Sequence, residues 1–465
     1  MSYFKRIASA AVALMLAVSA LSGCGGKGES ENVTTLNVWS HNVHSKAFMT
    51  DLISEWNETE GKKLGIKIEY TVKESDIQQT VDMAFESDQE PDFFTSCRIE
   101  KHSDSGNIVP IASLPGGEEF IKKYTDLGID LGGSGFSSPS GEVYCVPFSV
   151  NTFGLVYNKD MFKKYGIVDE NGEPTPPKTF DEVCEYAKRM TNEAEQDYGI
   201  IFPMKWGGFY TTDVEQLAWG SAGRGVFDCK TGRQDFSVMK PIYDMYTRIK
   251  NEGSCFPLAE SLDNDTARAY FAERNIGMKF AGSFDVGVFN EQFPAKCEWG
   301  VAPYPVADEN ERYLQYMGMG GYFAMSKSAV EKVGEEKAFE VFKFLHSDDI
   351  LKKLYQKGMN LPYDYSIIDS VTPDENMKGW KEFAELLKIS TNGYQGAGVE
   401  ITGEKNAASV FSAGLWMGEM TSDEAIAELD ERYNRGMDTY YSNHPEKDKN
   451  KLIIPDWNTK IDLGE

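Results

Sequence analysis

The chain has 465 residues, enough for two sizeable hydrophobic cores and too many for a small scaffold stapled by disulfides. With 41% hydrophobic and 26% charged residues it has the composition of an ordinary globular protein, which excludes wholesale disorder, a collagen-like chain and a multi-span membrane protein. Its 47 basic against 73 acidic residues leave a net charge of −26, a field that repels phosphate backbones and anionic headgroups, so nucleic acid is not expected as a partner.

In chain order, Lys5 and Arg6 come first, ahead of an apolar run over 7–21 that is short for a bilayer span and has the form of a secretion signal. The run ends in Leu21-Ser22-Gly23-Cys24, which resembles a bacterial lipobox: small residues admit a signal peptidase to the bond before Cys24, and the Cys24 thiol then takes a diacylglycerol. The following Gly25-Gly26-Lys27-Gly28-Glu29-Ser30-Glu31 reads as a flexible tether. Residues 1–23 are thus expected to be a lipoprotein signal peptide and 24–33 a leash, with the globular body lipid-anchored at the cell membrane on the extracytoplasmic face. Six further cysteines, Cys97, Cys145, Cys184, Cys229, Cys255 and Cys297, are an even number without a framework spacing, so buried thiols and bridges both stand as readings.

From residue 34 the pattern is α/β. Leu36-Asn37-Val38-Trp39 reads as a strand, 45–59 as a helix, the alternating Ile66-Lys67-Ile68-Glu69-Tyr70 as a strand, 77–85 as a helix and Phe93-Phe94 as a short strand. Such alternation predicts a parallel sheet covered by helices, whose ligands gather at the carboxyl ends of the strands, here 39–42 and 95–98. Three capping boxes, Thr179 with Glu182, Ser328 with Glu331 and Thr421 with Glu424, each open an apolar-periodic run. Behind the first, Phe180, Val183, Cys184, Ala187 and Met190 form one core-facing stripe.

The stretch Gly141-Glu142-Val143-Tyr144-Cys145-Val146-Pro147-Phe148-Ser149-Val150-Asn151-Thr152-Phe153-Gly154-Leu155-Val156-Tyr157-Asn158-Lys159-Asp160 resembles the signature of bacterial extracellular solute-binding proteins. The pattern continues through Phe162, Gly166 and Pro176-Pro177-Lys178-Thr179-Phe180-Asp181-Glu182-Val183, then Gly277 to Phe284, Gly320-Gly321-Tyr322-Phe323-Ala324-Met325-Ser326 and Phe342-Lys343-Phe344-Leu345, covering about 34–440. The resemblance, to sugar-binding ABC transporter lipoproteins of the maltodextrin type, implies a two-lobe periplasmic-binding-protein-like fold. It puts lobe one at 34–150 and 308–362, lobe two at 151–307 and 363–440, crossovers at 149–153 and 303–307, and a C-terminal extension at 441–465. It further implies a monomer that closes on a small solute, docks on permease subunits, meets the membrane only through its anchor, needs no cofactor and catalyses nothing.

A sugar offers a CH face for stacking and hydroxyls for paired hydrogen bonds, so its site combines aromatic faces with a few fixed polar groups. By the resemblance these are Trp39, Ser40, His41 and Asn42 after the first strand, Ser96 and Arg98 after the third, Asn151 in the crossover, Trp206 in Lys205-Trp206-Gly207-Gly208, and Phe284 with Asp285. Trp39 reads equally as core, Phe284 equally as packing, and Trp219 and Trp416 sit in helix-like stretches that favour packing. The maltodextrin-type aromatic cluster is replaced near Gly403-Glu404-Lys405, which argues against maltose itself.

Rival chemistries lack residues. His41 and His44 have no acidic or cysteine partner nearby for a metal site. Glu118-Glu119 and Asp348-Asp349 are adjacent surface acids rather than the separated pair a glycoside hydrolase uses, and neither a GxSxG elbow nor a phosphate loop is present. Tyr440-Tyr441 resembles the paired tyrosines of ferric binders without the accompanying ligands, and Asp285 alone is thin for a polyamine. An iron complex, a polyamine or a peptide in the same trap remains the alternative to a carbohydrate.

Overall fold

A computed structural model describes residues 33–43, 45–73, 77–127, 129, 131–132, 135–138, 140–320, 323–393, 405–445 and 448–462. The signal segment, Cys24, most of the tether, His44, Gly321, Tyr322, Gly403 and Glu404 lie outside them. The strands are β1 (Thr34–Ser40), β2 (Ile66–Val72), β3 (Phe93–Thr95), β4 (Ser149–Asn158), β5 (Tyr198–Ile200), β6 (Phe227–Asp228), β7 (Arg233–Gln234), β8 (Ile276–Gly282), β9 (Trp299–Ala302), β10 (Gln315–Gly320), β11 (Phe323–Met325) and β12 (Ser390–Thr391).

The first sheet has the order β11-β3-β1-β2. Leu36 and Val38 of β1 point into the core, and β1 runs parallel to both β2 and β3, as the alternation predicts. The sheet is nonetheless mixed, because β11 arrives antiparallel to β3 with Phe323 opposite Thr95. The helices Lys46–Trp56 and Ile77–Glu86 stand where the periodicity places them. The second sheet runs β12-β10-β4-β8-β5, with β9 also on β4. Its centre is the ten-residue β4, which pairs with β10 through 149–152 and with β8 through 153–157.

Two of the three capping boxes form: Thr179 accepts from the Glu182 N–H and Thr421 from the Glu424 N–H, with each glutamate returning to the cap. The third does not. The helix starts two residues earlier, as Lys327–Val333 behind Ser326, and Ser328 bonds the buried Asp92 carboxylate at 3.1 Å, which Lys332 also holds at 2.8 Å. The stripe from Phe180 to Met190 is buried throughout, as are Trp219 and Trp416. All six described cysteines are free thiols, four of them buried.

Residues 303–307, expected as a crossover, form no strand of their own, and the strand that pairs with β4 at 149–152 is β10. Val306 instead pairs with Thr179 at the start of the helix Phe180–Met190, accepting from the Phe180 N–H and donating to Lys178. The tyrosines 440 and 441 end the helix Ser422–Asn443 and contact each other edge-on, and Tyr441 packs on a small cluster of Phe227, Cys229 and Met437.

Candidate functional site

The loops after β1 and β3 converge. His41 Nδ1 lies 2.7 Å from Thr95 Oγ1 and 3.0 Å from Ser96 Oγ, and the His41 backbone N–H donates to the same threonine. Ser96 holds a left-handed backbone, φ +62°, a conformation that costs a non-glycine residue roughly 1–2 kcal/mol and that concentrates at functional loops. His41 is exposed, with Ser96 and Asn42 half-buried beside it.

Four expected contacts are otherwise engaged. Ser40 is fully buried, its Oγ accepting from the Asn42 N–H. Trp39 is half-buried, packing against the first core while the Lys73 ammonium stands over its ring at 3.9 Å. The Arg98 guanidinium is committed to Asp82 at 2.9 Å. Burial alone raises the Asp82 carboxyl, but hydrogen bonds from Lys101 and His102 and the Arg98 charge outweigh it and hold the group below the usual carboxylate range. Asp285 is buried under the second sheet, its carboxylate taking Arg268 at 2.5 and 2.6 Å and the Gly282 N–H at 3.2 Å. It supports its neighbour: the Arg268 guanidinium stands 5.7 Å from the Phe284 ring.

The paired strands β4 and β10 carry what the loops do not. Asn151 is the one residue of β4 that is not buried, and its partner in register is Gly318. Opposed residues of an antiparallel pair and their i±2 neighbours share a face. That face therefore carries Asn151, Phe153, Tyr316, Gly318 and Gly320. Phe153 underlies it, with the Tyr316 ring stacked 6.2 Å away on one side and the Phe284 ring edge-on at 6.1 Å on the other. Both flanking rings are half-buried, and at Gly320 nothing stands within 4 Å of where a side chain would start. A cavity of about 300 Å³ opens beside Phe284, lined also by Glu291, Lys357, Met359 and Met377.

Trp206 follows β5 on a loop fixed by backbone bonds from Met204 to Ala259 and from Lys205 to Leu262. Its indole lies across Gly208, where a Cβ would come within 2.5 Å of the ring. The half-buried indole packs on the same core as Phe284 and Tyr316. Tyr316 went unnoticed in the sequence, although Tyr316, Gly318 and Gly320 recur with the period of a strand. On the next turn Asp213 is buried with one carboxylate oxygen unpartnered, and burial pushes it up to about 7 despite the nearby Lys279; burial alone does the same to Glu215.

The two groups of residues are joined through the chain. Gly320 ends β10, and only three residues later Phe323 pairs with Thr95, the neighbour of Ser96, a chain distance of at most about 10 Å. No helix among the described residues is long and apolar enough to cross a membrane.

Known proteins share this fold. The chain is similar to the maltotriose-binding protein of Pyrococcus abyssi, 24% identical over 233 residues, which are 50% of this chain and 45% of that relative, so less than half the relative's length is matched. Its fold is similar to that of an ABC transporter solute-binding protein from Thermotoga lettingae solved with α-D-tagatose, at 20% identity and a TM-score of 0.64 over 87% of this chain and all of the other. A receptor of Streptomyces glaucescens solved unliganded and with acarbose aligns over 87% of this chain and 98% of its own, at 16% identity and a TM-score of 0.65. Residues 41–351 match the family described as bacterial extracellular solute-binding protein, and with two sheets arranged as in periplasmic binding proteins the chain belongs to that family of solute binders rather than to an enzyme family.

Proposed function

We propose that this protein is the carbohydrate-binding component of an ABC importer, anchored outside the cytoplasm through a lipid on Cys24. The observation that carries the reading is the shared face of β4 and β10, where the Asn151 amide sits beside two half-buried rings, Tyr316 and Phe284, that flank Phe153. Flat rings match the CH face of a sugar, and an amide serves two hydroxyls as donor and acceptor at once. His41, Ser96 and Asn42 add polar contacts from the first sheet and Trp206 an aromatic one from the second. The solutes named with the similar proteins, maltotriose, tagatose and acarbose, are of the same class.

The ligand then bridges two lobes built on the two sheets, with the pivot in β4 and β10, and the closed form docks on the permease. The anchor is tested by detergent partitioning, in which Cys24→Ser moves the protein to the aqueous phase. The ligand class is tested by thermal shift against mono- and oligosaccharides, polyamines, amino acids and ferric citrate, where a ligand at 100 times its Kd stabilises by about 2.7 kcal/mol. A saccharide response lost in Tyr316→Ala and Trp206→Ala supports the reading. A response to a polyamine or iron complex alone overturns the carbohydrate assignment.

A further inference from the structure

Residues 453–461 lie beyond the matched family segment 41–351, and they bond to loops beside the second sheet. Ile454 donates its N–H to the Cys229 carbonyl at 2.8 Å, and the Trp457 indole N–H and the Thr459 hydroxyl both donate to the Gly223 carbonyl at 2.9 Å. Lys460 then pairs antiparallel with Tyr313, Leu314 donates to Thr459 and Ile461 to Arg312, and the Lys460 ammonium reaches Glu311 at 3.5 Å. The tail thus ties the Gly223 and Cys229 loops to 311–314, the residues that lead directly into β10.

The contact at Gly223 is close. Its backbone is left-handed, φ +72°, and a Cβ there would stand 2.6 Å from the Tyr313 ring and 2.8 Å from the Thr459 hydroxyl. Behind it Trp219 is boxed in on three sides. The Trp457 ring meets it edge-on at 6.3 Å, the Tyr316 ring lies at 5.9 Å, and Gly393 approaches so closely that a Cβ there would be 2.5 Å from the indole. Gly393 follows β12, which pairs with Gln315 and Tyr316.

We infer that residues 453–461 form a positioning strap for the crossing strand, in which Trp457 acts through Trp219 to hold Tyr316 in the orientation that faces the ligand. With 311–316 pinned by the strap and β12, bending between the lobes falls on 317–320, where two of four residues are glycine. The positioning of Tyr316 for a ligand rests on the carbohydrate reading, while the pinning of β10 does not.

Three variants of the full chain test it: a stop after Leu452, Trp457→Ala and Trp457→Phe. Hydrogen exchange of the 311–316 peptide without ligand reads the pinning, and calorimetry with a saccharide that binds wild type, more weakly in Tyr316→Ala, reads the positioning. The stop variant and Trp457→Ala are expected to keep their far-ultraviolet circular dichroism, to exchange roughly tenfold faster over 311–316, and to bind roughly tenfold more weakly, with Trp457→Phe restoring both. Unchanged exchange over 311–316 in folded Trp457→Ala overturns the strap, even where the stop variant fails to fold. Faster exchange with unchanged affinity overturns the positioning of Tyr316. If no saccharide binds wild type, the carbohydrate reading fails while the exchange measurement still decides the strap.

Discussion

Two non-glycine residues with φ near +60° separate strain that serves a site from strain that does not. Leu258 has φ +61°, is 71% exposed, and is not itself among the candidate contacts, although the next residue, Ala259, holds the Trp206 loop. Leu258→Gly relieves about 1–2 kcal/mol of backbone strain, offset by about 0.5–1 kcal/mol of added chain entropy in the unfolded state. A net gain of up to about 1 kcal/mol in urea unfolding is expected, with ligand affinity unchanged. Ser96→Gly should gain as much stability but lose the hydroxyl beside His41, so calorimetry should show weaker saccharide binding in this variant alone. Asp213 gives a second test at the same scale. Its folded pKa is raised to about 7 from 3.8, so the native state binds the extra proton between those limits, and this group makes stability fall as pH rises from about 4 to 7. Asp213→Asn should therefore be more stable than wild type at pH 8, by an amount on the order of 4 kcal/mol, and equal to it near pH 4. Urea titrations at the two pH values decide it, and a variant that is less stable at pH 8 would mean the carboxylate is stabilised by a partner there.

At the scale of elements, local patterns were readable and tertiary partners were not. The strands at 36–39, 66–70 and 93–94 and the boxes at Thr179 and Thr421 follow from spacing alone, because their hydrogen bonds close within four residues or their faces alternate. The Ser328 box failed because the helix is already under way at Lys327, and the Ser328 hydroxyl donates instead to Asp92, 236 residues away. The same distance problem hid the state of the expected contacts: nothing in the sequence near Arg98 shows Asp82 claiming it, nor near Asp285 shows Arg268. β10 was missed because Met317, Gly318, Met319 and Gly320 lack the β-branched residues that mark strands, and its sheet pairing comes from β4. The glycines make sense on the shared face. A Cβ at Gly318 would meet Phe153 at 3.6 Å and Tyr316 at 3.9 Å, ordinary contact distances. Gly318→Ala should accordingly leave the melting temperature within a few degrees of wild type, as expected for a change of under about 1 kcal/mol. The added methyl stands beside Asn151, however, and should weaken saccharide binding by calorimetry. Intact affinity would move the ligand off this face.

In the proposed two-lobe molecule, closure is driven by the contacts that exist only when the lobes meet. A ligand shifts an open and closed equilibrium only by its difference in affinity for the two forms, so contacts available from one lobe set affinity without driving closure. Trp206, Phe284 and Tyr316 belong to the core of the second sheet, whereas His41 and Ser96 belong to the first, and the links described between the groups are the backbone of β4, β10 and β11. A saccharide resting on the rings reaches His41 only as the lobes approach. His41→Ala should then reduce the closing equilibrium of the liganded protein by roughly tenfold, the worth of one well-made hydrogen bond to a sugar hydroxyl. Small-angle scattering at saturating saccharide checks this: wild type should compact on ligand addition, and His41→Ala should compact less at equal saturation. Trp206→Ala should need more ligand to saturate yet compact fully once saturated. Full compaction in both variants would place the closing contacts elsewhere on the first lobe.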